Sequence, residues 1–295
     1  MMRAAELPLV CRSEKPGYNG VMRILFLISL IAFSFQSTEA AGVRLGWEAY
    51  RDGNFERARE LFDAAGTADG HAASCQTGLV IGGFFDKGDA AARSLHRALE
   101  ACEAALAIDR RHRDARISYA IALGFEAKRV KKAGYAKASR LLLEENVRVW
   151  PDYAIAHAGL GGWHTAVAEA GMLARMVLRA KRSLAKSALE KAIALDASDI
   201  GVRYEMIKYL ALGKKAERKA ALAQIAETLA ITAEDAFDVY LKEKLLPLRR
   251  ALEAGDKKDI RAAVAEITAF NRIEEARAAA PYPLSALGDD ARGVR

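Results

Sequence analysis

Catalysis needs nucleophiles, metal ligands or phosphate cradles, and this chain offers few of them at workable spacing. Its histidines are His71, His96, His112, His157 and His164. No two stand four residues apart around a Glu, the spacing that sets two imidazoles over a zinc ion on one helix face. His157 and His164 are seven apart, with Glu169 nearby in sequence. A metal held there would still need a further ligand. Gly159, Gly161 and Gly162 lie within a helical pattern, with no strand before them and no Lys-Ser/Thr after them. They are not a phosphate loop; small residues there let helices pack closely. Nucleophile elbows and cysteine–histidine signatures are absent too. The chain is therefore expected to be no enzyme, with no cofactor and no metal.

What remains are candidates for binding. Trp47, Trp150 and Trp163 are the largest aromatics, and most such residues in a helical protein are core. Trp163 with His164 and His157 on an inner helix would line a groove, joined by Tyr50, with Arg175 and Arg179 at the rim. Basic residues cluster at 128–132, at Arg175, Arg179, Lys181, Arg182 and Lys186, and at Lys214, Lys215, Arg218 and Lys219. The second cluster faces away from Leu173, Met176, Val177, Leu184 and Leu189 on the same helical pattern. A solvated face is the plain reading. The sharper one is a reader of anionic groups, either acidic protein or phospholipid headgroups. Nucleic acid is excluded as a partner, because no aromatics interleave with the basic residues.

The elements that must carry these residues are helices. Hydrophobic residues make up 52% of the chain, and aromatics only 7%. Ala, Leu, Glu, Lys and Arg dominate, which favours helix over strand. Apolar residues recur at helical spacing after residue 43, and no segment reads as a strand. Gly and short polar clusters divide the chain into about twelve helices joined by short loops. The stretch Gly46-Trp47-Glu48-Ala49-Tyr50-Arg51-Asp52-Gly53-Asn54-Phe55, followed by Ala58, Phe62 and Ala65, resembles a tetratricopeptide repeat. The pattern recurs at Ala98, Cys102, Ala105 and Leu106, and at Ala185, Leu189, Ala192 and Ile193. Leu160-Gly161 follows Pro151 at the expected spacing. Equivalent loop points at Arg110, Pro151 and Ala197 lie 41 and 46 residues apart. A standard repeat takes 34, so longer helices or insertions are implied. The resemblance implies an all-α solenoid of such hairpins with extended helices, whose concave face binds a protein or peptide.

A second likeness rests on Ala156-His157-Ala158-Gly159-Leu160-Gly161-Gly162-Trp163-His164 and the basic segment after it. It is similar to the repeat domain of the regulator of microtubule dynamics family, some members of which are implicated in lipid handling. That likeness implies an alternative: a carrier of lipid or a small apolar ligand, with peripheral membrane contact. A third reading is an accessory protein of a solute transporter. Residues 42–280 are the expected array, with 233–278 a final capping pair in which Pro247 kinks or breaks the first helix. Residues 281–295 read as a loose tail.

Met22-Arg23, the apolar run 24–33 and the small residues to Ala41 read as a secretory signal peptide over 22–41. Residues 1–21 read as an extension upstream of a true start at Met22. A periplasmic or secreted location follows as an expectation. Cys75 and Cys102 then form either a disulfide across one hairpin or two buried thiols. The net charge of +7 fits a solubilising surface or an acidic partner.

Overall fold

A computed structural model describes residues 41–284, and its described residues contain helices and no strand. The signal segment up to residue 40, the upstream stretch 1–21 and residues 285–295 lie outside the described residues. The helices are α1 (41–51), α2 (Phe55–Ala65), α3 (Ala68–Val80), α4 (Gly88–Ile108), α5 (Arg113–Val130), α6 (Ala133–Val149) and α7 (Ala154–Glu169). They continue with α8 (Met172–Val177), α9 (Arg182–Leu195), α10 (Ile200–Ala211), α11 (Lys215–Ala230), α12 (Ala236–Ala254) and α13 (Lys257–Ile267). A π-helical turn, Ile81–Phe85, extends α3, and a short 3-10 turn, Ile273–Glu275, follows α13.

Polar residues between the apolar stripes start these helices by capping. Asn54 accepts from the Arg57 amide, Thr67 from Gly70, His112 from Ala115 and Asp199 from Val202. Asp235 and Asp256 do the same for α12 and α13. The short loops fold successive helices into antiparallel hairpins, α1–α2, α3–α4, α5–α6, α7–α9, α10–α11 and α12–α13. The third of these fits the repeat pattern only loosely in sequence, yet α5 and α6 pack as closely as the others.

Small residues let the paired helices approach. A methyl group placed on Gly46 would lie 2.4 Å from the Phe62 ring, and one on Gly161 would lie 2.6 Å from Leu189 Cγ. Gly161 and Leu189 pair α7 with α9. The hairpin therefore closes across residues 170–181, which are an insertion carrying α8. That insertion accounts for the long spacing between Pro151 and Ala197. Cys75 on α3 and Cys102 on α4 are joined as a disulfide, with Cα atoms 5.2 Å apart.

The helices α3, α5, α7, α10 and α12 adjoin one another in order along one side of the stack. One core runs through α3–α6 and a second through α10–α13. The last hairpin is more than an end cap. Phe237 meets Phe55 and Phe84, Tyr240 meets Phe84 and Phe85, and the Tyr240 hydroxyl donates to the Phe84 carbonyl at 3.2 Å. The C-terminal hairpin therefore closes back on the first one.

Three details depart from the sequence expectations. Pro247 does not break α12, which runs on from Ala236 to Ala254 with the proline on its exposed side. The final helix ends at Ile267 rather than near 278, because Phe270 turns into the core. Residues 281–284 are not loose; Tyr282 is buried and Leu284 packs on the central core.

Two stability measurements follow. Gly161→Ala should lower stability by about 1–3 kcal/mol, because the added methyl overpacks the buried Leu189. An unchanged melting curve would contradict that close approach. Reduction of the Cys75–Cys102 bond, which closes 27 residues, should cost about 3 kcal/mol and roughly 10 °C of melting temperature.

Candidate functional site

The insertion between α7 and α9 carries the candidate site. Gly171 enters it at φ +117°, and Arg179 leaves it at φ +52°. These left-handed residues end the helical run on both sides of α8, and for Arg179 that conformation is uncommon. The sequence pattern suggested one continuous basic helix with its apolar face turned inward. The break at Leu178–Lys181 reverses this. None of the α8 residues is buried. Met172 is 70% exposed, Leu173 74%, Met176 66% and Val177 50%, and Leu184 on α9 is 46% exposed. The four α8 residues lie at i, i+1, i+4 and i+5, so they form one face, and that face meets solvent. Only the flanking Leu178 and Ala180 are buried, and Arg140 on α6 donates to the Leu178 carbonyl at 2.8 Å.

Beneath α8 lies an open cleft of about 490 Å³, lined by Arg140, His164, Arg175, Met176, Arg179 and Lys181 among others. Arg140 pairs with Glu144 at 3.4 Å, and Arg182 pairs with Glu169 at 3.2 Å. Arg175, Arg179 and Lys181 make no ion pair among the described residues. His164 forms the floor, 3% exposed, with its ring 5.0 Å from that of Trp163. Its Nδ1 and the Trp163 Nε1 are buried without a hydrogen-bond partner among the described residues. Burial, and then the neighbouring Arg140 cation, push the His164 pKa down to about 4. The floor is therefore neutral at physiological pH while the rim is cationic.

Of the residues singled out by sequence, His164, Arg175 and Arg179 come together here, with Trp163 directly behind. Tyr50 and His157 do not join them. Tyr50 lies in the first hairpin, edge-on to Trp47 and Phe55, and burial followed by Asp235 and Asp238 pushes its pKa up. His157 is buried near the start of α7, where its Nε2 lies 2.8 Å from the Pro151 carbonyl oxygen. It fastens a loop.

The basic run 128–132 also needs correction as a solvated patch. Arg129 is buried and forks onto the wholly buried Glu126 at 2.7 and 2.8 Å. Lys128 donates to the Phe270 carbonyl at 2.9 Å. The signal was Glu126 and Arg129 three residues apart on one helix. It was hidden because run-counting treats every cation as exposed. Among the described residues no cluster of His, Cys, Asp and Glu could hold a metal ion, and no helix is long and apolar enough to cross a membrane.

Among solved structures, a thermophilic TPR protein from Thermus thermophilus, TTC0263, matches with a TM-score of 0.51 and 24% identity. The match covers 70% of this chain and 98% of that one. The fold is that of a tetratricopeptide-repeat protein. A structure of Pseudomonas aeruginosa pilF aligns with a TM-score of 0.44 and 21% identity, covering 78% of this chain and 90% of that one. No family model matches the sequence, and no curated protein matches it. The TPR architecture thus rests on the helical hairpins and the structural likeness together.

His164 gives a pH test. Its folded pKa lies below the ordinary value of 6.5, so the folded state binds fewer protons than the unfolded chain between about pH 6.5 and 4. Stability contributed by neutral His164 should fall as pH drops through that window. The urea midpoint should decline more from pH 7 to pH 4.5 in wild type than in His164→Gln; equal declines would place His164 in a more solvated setting.

Proposed function

We propose that this chain is a non-catalytic, exported TPR scaffold that docks a partner protein at the α6–α9 cleft. One observation carries the reading: an outward apolar face, Met172, Leu173, Met176 and Val177, stands beside the unpaired cations Arg175, Arg179 and Lys181. Exposed apolar clusters rimmed by charge are characteristic of interaction surfaces. The lining suits a segment that alternates acidic and apolar side chains. Flexible methionines adapt to such a segment at little packing cost. Arginine at the rim provides forked donors for carboxylates.

Export is supported by the signal-type segment from Met22 and by the Cys75–Cys102 pair, since disulfides persist in oxidising compartments. The non-catalytic reading is in keeping with the cleft's lining, which surrounds one buried imidazole with cations and Glu144 in an arrangement suited to holding an anionic group. A second reading, docking to an anionic lipid surface, is favoured by the same apolar face and cations. A lipid carrier in the strict sense is less well supported, because the cleft is open and cation-lined rather than an enclosed apolar cavity.

A photo-crosslinking residue at position 173, in cells that export the protein, separates these outcomes. A discrete heavier protein band, lost in Arg175→Glu/Arg179→Glu, is expected. Crosslinks to lipid alone would replace the protein partner with the membrane. No crosslink above that of a probe at Ile108 would contradict both.

A further inference from the structure

The array has a second contact shaped for a peptide, and its occupant is the chain itself. After α13, Phe270 inserts at the end of α3. Its amide donates to the Gly83 carbonyl at 2.7 Å, and its ring lies 4.6 Å from that of Phe125. A methyl group on Gly82 would lie 2.8 Å from that ring, so this anchor is tightly seated. Ile273 is fully buried one turn later.

Beyond Ala276 the contact changes character. Residues 277–284 have no regular secondary structure and run along α4, α5 and α6, held mainly through the main chain. The amides of Arg277 and Ala278 donate to Asp89 Oδ1 at 2.7 and 3.0 Å. Arg129 donates to the carbonyls of Ala279 and Ala280, both at 2.8 Å. The Tyr282 amide donates to Glu126 Oε1 at 2.9 Å, and its carbonyl accepts from the Tyr135 hydroxyl at 2.5 Å. Tyr282 is the one buried side chain of the segment. Its hydroxyl donates to Glu103 Oε2 at 3.0 Å, and its ring meets His96 edge-on. Burial by itself would raise the Glu126 pKa, but bonds from His96, Arg129 and the Tyr282 amide outweigh it and hold the group at about 2.

Main-chain recognition with one anchored side chain is how proteins read short extended segments. The groove residues satisfy one another as well as the segment: Glu126 keeps Arg129 and His96 when Tyr282 leaves, and Glu103 keeps the Tyr119 hydroxyl. Lifting residues 277–284 exposes buried Tyr282 and the partly buried Leu284, while Phe270 and Ile273 stay seated. We propose that this groove docks an extended Pro-Tyr-Pro-type segment of another protein, and that residues 277–284 are its exchangeable internal occupant. A short tether gives the internal segment an effective concentration of roughly millimolar order, so a competitor binds wild type with reduced apparent affinity. The proposal stands apart from the α8 cleft.

The test uses the full chain and a fluorescein-labelled peptide with the sequence of residues 277–284, titrated by anisotropy. Tyr282→Ala weakens the internal occupant, so it should bind the peptide at least ~tenfold more tightly than wild type. Adding Asp89→Ala, which removes the acceptor of the Arg277 and Ala278 amides, should weaken that binding several-fold. Equal binding to wild type and Tyr282→Ala, or binding to neither, overturns the proposal. Wild type provides a check that does not depend on the variants folding. Trypsin should cut after Arg277 in native buffer while α1–α7 and α9–α13 stay intact; cleavage only at the rate of global unfolding would make the segment a fixed strap and overturn the proposal.

Discussion

The structure depends on how closely two helices can approach. At Gly46 against Phe62 and at Gly161 against Leu189, a side chain on one helix occupies space that a single methyl group on the other would fill. Each such contact fixes one hairpin. Hairpins then stack through the alanine-rich faces of α3, α5 and α7, where Ala120, Ala122 and Ala156 are fully buried. Close packing gives these contacts their dispersion energy and leaves little tolerance for added volume. Because α7 pairs with α9, α8 has no hairpin partner of its own, and the insertion at 170–181 packs inward only through Leu178 and Ala180. The exposed face of α8 is thus a consequence of the hairpin that excludes it.

The other constraint is a buried charge. Glu126 and Arg129 lie on one face of α5 inside an apolar array, where either charge alone would be severely destabilising. Each has its partner, and the remaining donors and acceptors are satisfied by His96, the Tyr282 amide and the carbonyls of Ala279 and Ala280. The pair therefore links the middle of the stack to the end of the described chain. Together with Phe237 and Tyr240 against Phe55, Phe84 and Phe85, it turns an open array into one that closes on itself.

Much of this was legible from residue types. The helical class and the hairpins at 43–65 and 154–195 follow from period and small residues. The site was half legible: His164, Arg175 and Arg179 meet, because seven residues on a helix bring His164 to the turn next to the insertion. Tyr50 and His157 were plausible for the same chemical reasons, but they face their own hairpin and loop. What stayed hidden depended on long-range contacts. Periodicity assigns apolar residues inward, so it turned Leu173, Met176 and Val177 the wrong way. The left-handed Arg179 that reverses them has no sequence signature. Docking of Tyr282 joins positions more than a hundred residues apart in sequence, beyond any local pattern.

The central claim is that α8 holds its apolar face outside the stacked hairpins. Hydrogen exchange of the purified full chain, read by mass spectrometry, tests it most directly. An isolated six-residue helix is marginal in water, so residues 172–177 should exchange almost without protection. Peptides from α7 and α9 on either side should exchange slowly in the same sample. Uniform slow exchange from 154 to 195 would mean that α8 is packed into the array, and would contradict the account of the site.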